Sequence, residues 1–422
     1  MEKNNMKYRT FVIPRHIHYG AGALHRLSTV TCQRALITTD RVIRELGIVE
    51  RVESILRTNG AETRIFDQIE AEPSKETAWQ AFHLAQEFKP DLFVGLGGGS
   101  CMDVGKVAWV LYEHPDLASW PVADLAGAVG SRELRTKARY VAIPTTSGSA
   151  SEVSGAAIFI DWEVHPPLKT GVFSEQLVPD VAILDPELTL TMPPTVTADC
   201  GYDALIHAVE GYVTSIDHPS EMRDTFALRA ANTIFEWLPR AVADGRDLQA
   251  REKIHLASLQ AGMSMQGGTL ATTTAATGPG EQSGPRWPPA PIHVPSHAMG
   301  AAFRIPHGRA NAFLLCPVFA FLYPTHKARL CSLATSLGIA GEDDRAQISN
   351  LLDALDQLKQ TVGIPLSIRD SGVDEARWLE QVDLLATDTC SRSGPADVGL
   401  SVNELKGIYM HAWNGTRAEL KE

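Results

Sequence analysis

Between Pro90 and Lys106 an apolar run, Leu92-Phe93-Val94-Gly95-Leu96, opens directly into Gly97-Gly98-Gly99-Ser100 and then into residues with helical spacing. Few folds accept that order. A short apolar run bounded by turn residues reads as a buried strand. Consecutive glycines leave bare backbone, and a helix starting there offers its free N–H groups to an anion. The unit belongs to a parallel α/β sheet, whose ligands gather beyond the carboxyl ends of the strands. The run is neither GxGxxG nor a P-loop, which needs Gly-Lys-Ser/Thr. On its own it reads equally as a tight connection or as a pyrophosphate cradle formed by Gly97, Gly98, Gly99 and Ser100.

The residues on either side repeat the pattern. Arg34-Ala35-Leu36-Ile37-Thr38-Thr39-Asp40 is a second apolar run, a buried strand with Asp40 at its carboxyl edge. The spacing predicts a strand entry over 8–20, the turn Tyr19-Gly20-Ala21-Gly22 and a helix after it. It then predicts a helix over 41–59, a strand near 62–67 and a helix from about 74 to 88. Such alternation makes a doubly wound parallel sheet. A further apolar run breaks at Pro144 into Thr145-Thr146-Ser147-Gly148-Ser149. Its hydroxyls can bond a nucleotide's phosphates and ribose; in isolation the loop reads as a solvated turn.

After Val181-Ala182-Ile183-Leu184-Asp185-Pro186 the strand signals fade, and apolar residues recur at helical spacing through 198–265, 308–337 and 345–362. With 422 residues the chain exceeds one ordinary core. The expected class is α/β plus all-α: a doubly wound parallel-sheet domain over 1–189 and an all-helical domain over 190–422.

Within the helical half, Gly201-Tyr202-Asp203-Ala204-Leu205-Ile206-His207 places a carboxylate and an imidazole four residues apart. Residues at that spacing project from one helical face, so their donor atoms converge. That is half a metal site. His293-Val294-Pro295-Ser296-His297 and Pro306-His307-Gly308 supply candidates for the other half. Asp and His donors without a thiolate suit Fe(II) or Zn(II). For the pair alone, a carboxylate and a packed histidine with no metal is the commoner arrangement.

Charge and cysteine content exclude other classes. A net charge of -12 with no Lys/Arg block leaves no basic footprint for nucleic acid. No apolar run reaches membrane-spanning length, and Met1-Glu2-Lys3-Asn4-Asn5 lacks a signal-peptide core, so no membrane partner is expected. Six cysteines without CxxC spacing read as reduced thiols of a cytoplasmic protein.

Four segments in this order, GGGSCMDVGK, PTTSGSASE, GYDALIHAVEGY and HVPSHAMGAAFRIPHGRANA, resemble the iron-containing (group III) alcohol dehydrogenases. The resemblance runs from the Tyr-Gly-Ala-Gly turn to the region of Cys390. It implies a dehydroquinate-synthase-like fold, with a nucleotide-binding domain over 1–189, a helical metal-binding domain over 190–422 and the active site between the two. By resemblance the metal ligands are Asp203, His207, His293 and His307, and His297 stands beside the nicotinamide and substrate as a proton relay. Gly98, Gly99, Ser100 and Asp103 match the pyrophosphate loop, Thr145, Thr146 and Ser149 the hydroxyl loop, and Lys169 a lysine that reaches the cofactor ribose. Asp40 falls where the family tends to carry an acid near the adenosine ribose, which favours NAD over NADP. The implied partner is a small primary alcohol, diol or aldehyde, and the implied assembly is a homo-oligomer, a dimer or larger.

The chain also departs from the family. A Pro-rich insertion, spanning 266–292, separates the helix around Ala261-Gly262-Met263 from the paired histidines. It reads as a specificity loop or as a segment that disables the metal site. Pro291 and Pro295 flank His293, and because Pro disrupts a helix interior, His293 and His297 are not expected to share a regular helical face. Ser393-Gly394-Pro395 stands where the family often has Asn-Pro-Arg, and Ser149-Ala150 replaces Thr-Gly. Two other readings share the motifs. One is a dehydroquinate-synthase-like lyase, which needs cationic side chains at the metal beyond Arg304 and Arg309. The other is a cofactor-binding protein without turnover.

Overall fold

Alternate side chains of the short apolar runs go to opposite faces of one sheet, as the two-residue period of a strand requires. The chain is described here from a computed structural model covering residues 11–421, apart from 123, 126–128, 131, 164–167, 217–219, 267–289 and 394–398. Six parallel strands form the main sheet: β1 (His16–Tyr19), β2 (Arg34–Thr38), β3 (Glu62–Phe66), β4 (Leu92–Gly97), β5 (Arg139–Pro144) and β8 (Val181–Leu184). Their order is β1-β8-β5-β4-β2-β3. Leu92, Val94 and Leu96 of β4 pack into one core with Ile37 and Val141, whereas Phe93 packs into the other with Leu36 and Tyr140.

The helices α1 (Arg41–Glu45), α2 (Ile48–Thr58), α3 (Lys75–Phe88) and α4 (Gly99–Glu113) cover this sheet. The helix expected over 41–59 breaks at Gly47, which has φ +73°. The segment after the first turn is a 3₁₀ helix, Ala23–Thr29. Chain direction fixes where a ligand fits. From β2 the chain moves out to β3, and from β4 it moves the opposite way to β5. The loops after β2 and β4 therefore flank a switch point, and they carry Asp40 and the Gly run.

A two-stranded antiparallel hairpin, β6 (Ala156–Asp161) with β7 (Leu168–Phe173), is added beside the sheet. Beyond a 3₁₀ turn at Pro186–Thr189 the chain is helical: α5 (Pro194–Val213), α6 (Glu221–Ala243), α7 (Leu248–Gln266), α8 (His293–Phe303), α9 (His307–Ser336), α10 (Asp344–Thr361), α11 (Glu375–Ser393) and α12 (Val402–Asn414). Among the described residues no helix is long and apolar enough to cross a membrane.

The helix α5 is buried nearly all round, with Tyr202, Leu205, Ile206, Val209 and Val213 in one apolar cluster shared with the helices around it. Burial on every face is how a helix of this composition satisfies its apolar surface. Three of its buried polar residues, Asp203, His207 and Glu210, stand at i, i+4 and i+7, one stripe of the helix. Buried polar groups need partners. Asp203 finds one in Asn311 in the first turns of α9, and Glu210 finds two at the start of α8.

Candidate metal and nucleotide site

The helix α8 begins at His293, so Pro295 is its third residue. The first-turn N–H groups of a helix have no partner inside it, and Pro there removes nothing. The expected loss of a shared face does not occur: His293 and His297 lie on one regular helix, four residues apart. Most of the inserted segment, including Thr272-Thr273-Thr274 and the prolines from 279 to 289, lies outside the described residues, as do Gly394 and Pro395.

Asp203, His293 and His307 bring one donor atom each to within 4.8 Å of one another. Nε2 of His293 and Nε2 of His307 both stand 3.8 Å from Oδ1 of Asp203. That is too long for hydrogen bonds. Donors bound at about 2.0–2.2 Å to one ion lie less than about 4.4 Å apart, so both 3.8 Å spacings to Asp203 fit a shared metal. His207 is not one of the three; its ring stacks on that of His293, with centroids 4.6 Å apart and planes at 9°. His297 lies against His307, centroids 4.7 Å apart.

Three buried ring nitrogens here have no hydrogen-bond partner: Nδ1 of His207, Nε2 of His293 and Nδ1 of His307. Buried polar atoms are normally satisfied, so a cluster of orphans is the mark of a missing ligand. Burial pushes His207 down to about 4, with Asp203 and Glu210 opposing it. Burial and the Lys169 ammonium hold His297 and His307 well below the usual histidine range, so both are neutral near pH 7. Burial also works against a charge on His293, but Glu210 and Asp203 outweigh it and raise its pKa.

Two residues that sequence reasoning left out hold this cluster. Glu210 accepts hydrogen bonds from Nδ1 of His293 and, at 2.5 Å, from the backbone N–H of Ile292. Nδ2 of Asn311 donates to Oδ1 of Asp203 at 2.6 Å and lies 3.2 Å from Nε2 of His307. The signal for each was spacing: Glu210 continues the stripe of Asp203 and His207, and Asn311 is one turn beyond His307.

On the sheet side, Asp40 ends the β2 edge and caps α1, Oδ1 accepting from the Ile43 N–H at 2.9 Å. Its Oδ2 accepts from the Cys101 thiol at 3.3 Å. Gly97 has φ +142°, and a Cβ there would stand 2.5 Å from Cys101 Sγ and 3.7 Å from Asp40 Oδ2. Gly98 is the N-cap of α4, and Ser100 lies in its first turn. A Cβ on Gly99 would meet Ser149 Cβ at 2.7 Å, and one on Gly98 would lie 3.6 Å from Thr146 Oγ1. The Gly run and the hydroxyl loop thus face each other, with Thr145 Oγ1 buried and unpartnered. Bare backbone, a free helix N-terminus and an unused hydroxyl fit a pyrophosphate.

Asp103 has another use besides. It accepts from Ser151 Oγ at 2.6 Å and from the Ile158 N–H at 3.1 Å. One turn on, the buried Lys106 ammonium donates to the carbonyls of Ser151, Ser154 and Ala156 at 2.6, 2.8 and 2.9 Å. Burial pulls Lys106 down to about 8. The two side chains pin the segment that follows the hydroxyl loop. Lys169 on β7 is ion-paired with Glu72 at 2.5 Å. Cys390 is a buried thiol that donates to the Leu400 carbonyl at 3.6 Å.

The hydroxyl loop also touches the helical half. Ser147 Oγ hydrogen-bonds Nδ1 of the buried His255 on α7 at 2.8 Å. A Cβ on Gly148 would stand 2.6 Å from the Cys200 carbonyl oxygen of α5. The loop that faces the Gly run is therefore packed onto the helix that carries Asp203 and His207.

Comparison with known proteins points the same way. The family model described as iron-containing alcohol dehydrogenase matches residues 14–186. That described as Fe-containing alcohol dehydrogenase family, C-terminal, matches 197–275 and 289–413. An NADPH-dependent butanol dehydrogenase of Clostridium saccharobutylicum is 32% identical over 97% of this chain and 99% of its own. An NAD-dependent methanol dehydrogenase of Bacillus methanolicus is 30% identical over 91% of this chain and 95% of its own. Among solved structures, an iron-containing alcohol dehydrogenase from Thermococcus thioreducens superposes with a TM-score of 0.81 at 30% identity, over 96% of this chain and all of that one.

Proposed function

Because the chain belongs to the iron-containing alcohol dehydrogenase family, we propose that it transfers a hydride between NAD(H) and a small primary alcohol, diol or aldehyde at an Fe(II) centre. Alcohol and aldehyde oxidoreduction is the activity of the family, and of this chain. The finer reading rests on one observation above others: Asp203, His293 and His307 bring a donor atom each to within 4.8 Å of one another, and Nε2 of His293 is buried there without a partner.

Asp203, His293 and His307 would hold the ion, with His207 as the fourth ligand on the next turn of α5. Zn(II) suits the same donors. When bound, the ion supplies Lewis-acid stabilisation of the charge on the substrate oxygen, and the nicotinamide supplies the hydride carrier. The rest is the protein's own work. The Gly run and the hydroxyls of Thr145, Thr146 and Ser149 bind the pyrophosphate, and Asp40 bonds the adenosine ribose. Lys169, paired with Glu72, is the lysine that would reach the cofactor ribose. His297, neutral and one ring from His307, accepts the alcohol proton on a ring nitrogen and passes it to solvent.

Two alternatives lose ground. A lyase acting on a phosphorylated sugar acid needs free cations at the centre, and Arg309 is committed to Asp199 at 3.0 Å. A cofactor-binding protein with a broken centre is opposed by the regular α8 that carries His293. A cytoplasmic homo-oligomer completes the reading, supported by the family and by six unpaired cysteines.

The test uses protein purified anaerobically with Fe(II) or Zn(II). Bound metal near one per chain, with NADH formed from short alcohols or diols, is the expected result. NAD binding without metal or turnover would overturn it.

A further inference from the structure

We propose that Glu210 is a positioning residue of the metal centre: its carboxylate sets both the tautomer of His293 and the backbone from which the His293 helix starts. The proposal rests on the reading of the site given above. Glu210 is 4% exposed, at the far end of the α5 stripe that begins with Asp203 and His207. Its two oxygens serve two successive residues across the chain. One accepts from the Ile292 N–H at 2.5 Å, and the other from Nδ1 of His293.

Each contact does separate work. In a neutral imidazole one nitrogen carries the hydrogen. With Nδ1–H committed to Glu210, Nε2 keeps its lone pair, and Nε2 is the buried, unpartnered atom 3.8 Å from Asp203 Oδ1. A carboxylate behind a ligating histidine fixes ring orientation and raises its basicity. The second contact concerns the helix. Ile292 is the N-cap of α8, whose N-terminus has no side-chain cap of its own. Orphan N–H groups at a helix start need outside acceptors, and Glu210 is one. The start of α8 is therefore referred to α5, the helix that also carries Asp203 and His207. The seat of His293 depends on that carboxylate and not on the length of chain between α7 and α8.

Co(II) is the probe, because its visible spectrum reports ligand geometry and its uptake needs no turnover. The full chain and the variants E210Q and E210A are stripped of metal and titrated with Co(II), and each is titrated separately with NADH. Both variants should bind Co(II) about 10–100-fold more weakly. At saturation their visible bands should be altered, with NADH affinity within about twofold of the parent. If the alanine variant does not fold, E210Q carries the test, since its amide keeps the shape and one acceptor. Parent-like Co(II) affinity and spectrum in E210Q would overturn the proposal. So would equal loss of NADH binding, which would make Glu210 a residue of the fold at large. A parent chain that takes up no Co(II) would overturn the site reading and this proposal together; tight parent binding with an unchanged E210Q overturns this one alone.

Discussion

Gly308 lies so close to Asp199 that a Cβ on it would stand 2.1 Å from the Asp199 carbonyl oxygen. The same Cβ would come 3.0 Å from Cβ of Asp203. This contact sets how near the first turn of α9, with His307, approaches the ligand stripe of α5. Gly308→Ala should force the helices apart, costing about 1–3 kcal/mol as overpacking does. It should also weaken metal binding by tenfold or more, since His307 and Asp203 separate. Bound metal and the urea midpoint measure the two effects. Full metal occupancy at the parent's midpoint would mean that the contact does not hold the ligands in place.

Asp40 offers a sharper test of cofactor choice, because its backbone role can be kept while its charge is removed. Asp40→Asn retains a side-chain oxygen to accept from the Ile43 N–H, so the α1 cap survives. What disappears is the negative charge that would face a 2′-phosphate. Like charges brought together cost several kcal/mol. The kcat/KM ratio for NADP(H) over NAD(H) should rise by about tenfold or more, corresponding to about 1.4 kcal/mol. The urea midpoint should stay where it was. An unchanged ratio would place the adenosine ribose elsewhere.

What the sequence disclosed follows from how local each signal is. The β4–Gly97–α4 turn and the Asp40 edge are each written within a dozen residues and appear where their spacing placed them; Asp203 and His207 share α5 as their spacing requires, but His207 stands outside the three-donor set. Glu210 sits one heptad beyond Asp203, but its partners Ile292 and His293 lie more than eighty residues on, and only the folded chain brings them together. The sequence expectation for the His293 helix treats Pro295 as an interior residue; at the third position it costs nothing. Asp103 was read as a pyrophosphate residue by motif, yet its carboxylate is occupied by Ser151 and Ile158. The β6–β7 hairpin lies outside the strand–helix alternation that the sequence shows, because its strands pair mainly with each other.

The link between Ser147 and His255 gives the chain an acid-sensitive joint between the cofactor loop and α7. Burial, helped by Arg251, pushes His255 down to about 3. Its unfolded value is near 6.5. The unfolded chain therefore takes up the proton first, and the stability that neutral His255 contributes is complete above pH 6.5. As pH falls toward 3 that stability is lost, amounting to about 2 kcal/mol by pH 5. His207, pushed down to about 4 by burial in the metal-free chain, adds in the same direction. His255→Gln has an amide that can still meet Ser147 Oγ and has no proton to gain. Between pH 7 and pH 5 the metal-free parent should lose more of its urea midpoint than the metal-free variant, by an amount equivalent to about 2 kcal/mol. At pH 7 the variant should bind NADH as the parent does, its hydroxyl loop still tied to α7. Midpoints that fall in parallel would show that His255 is protonated in the folded chain or already neutral in the unfolded one, and either removes it as the joint.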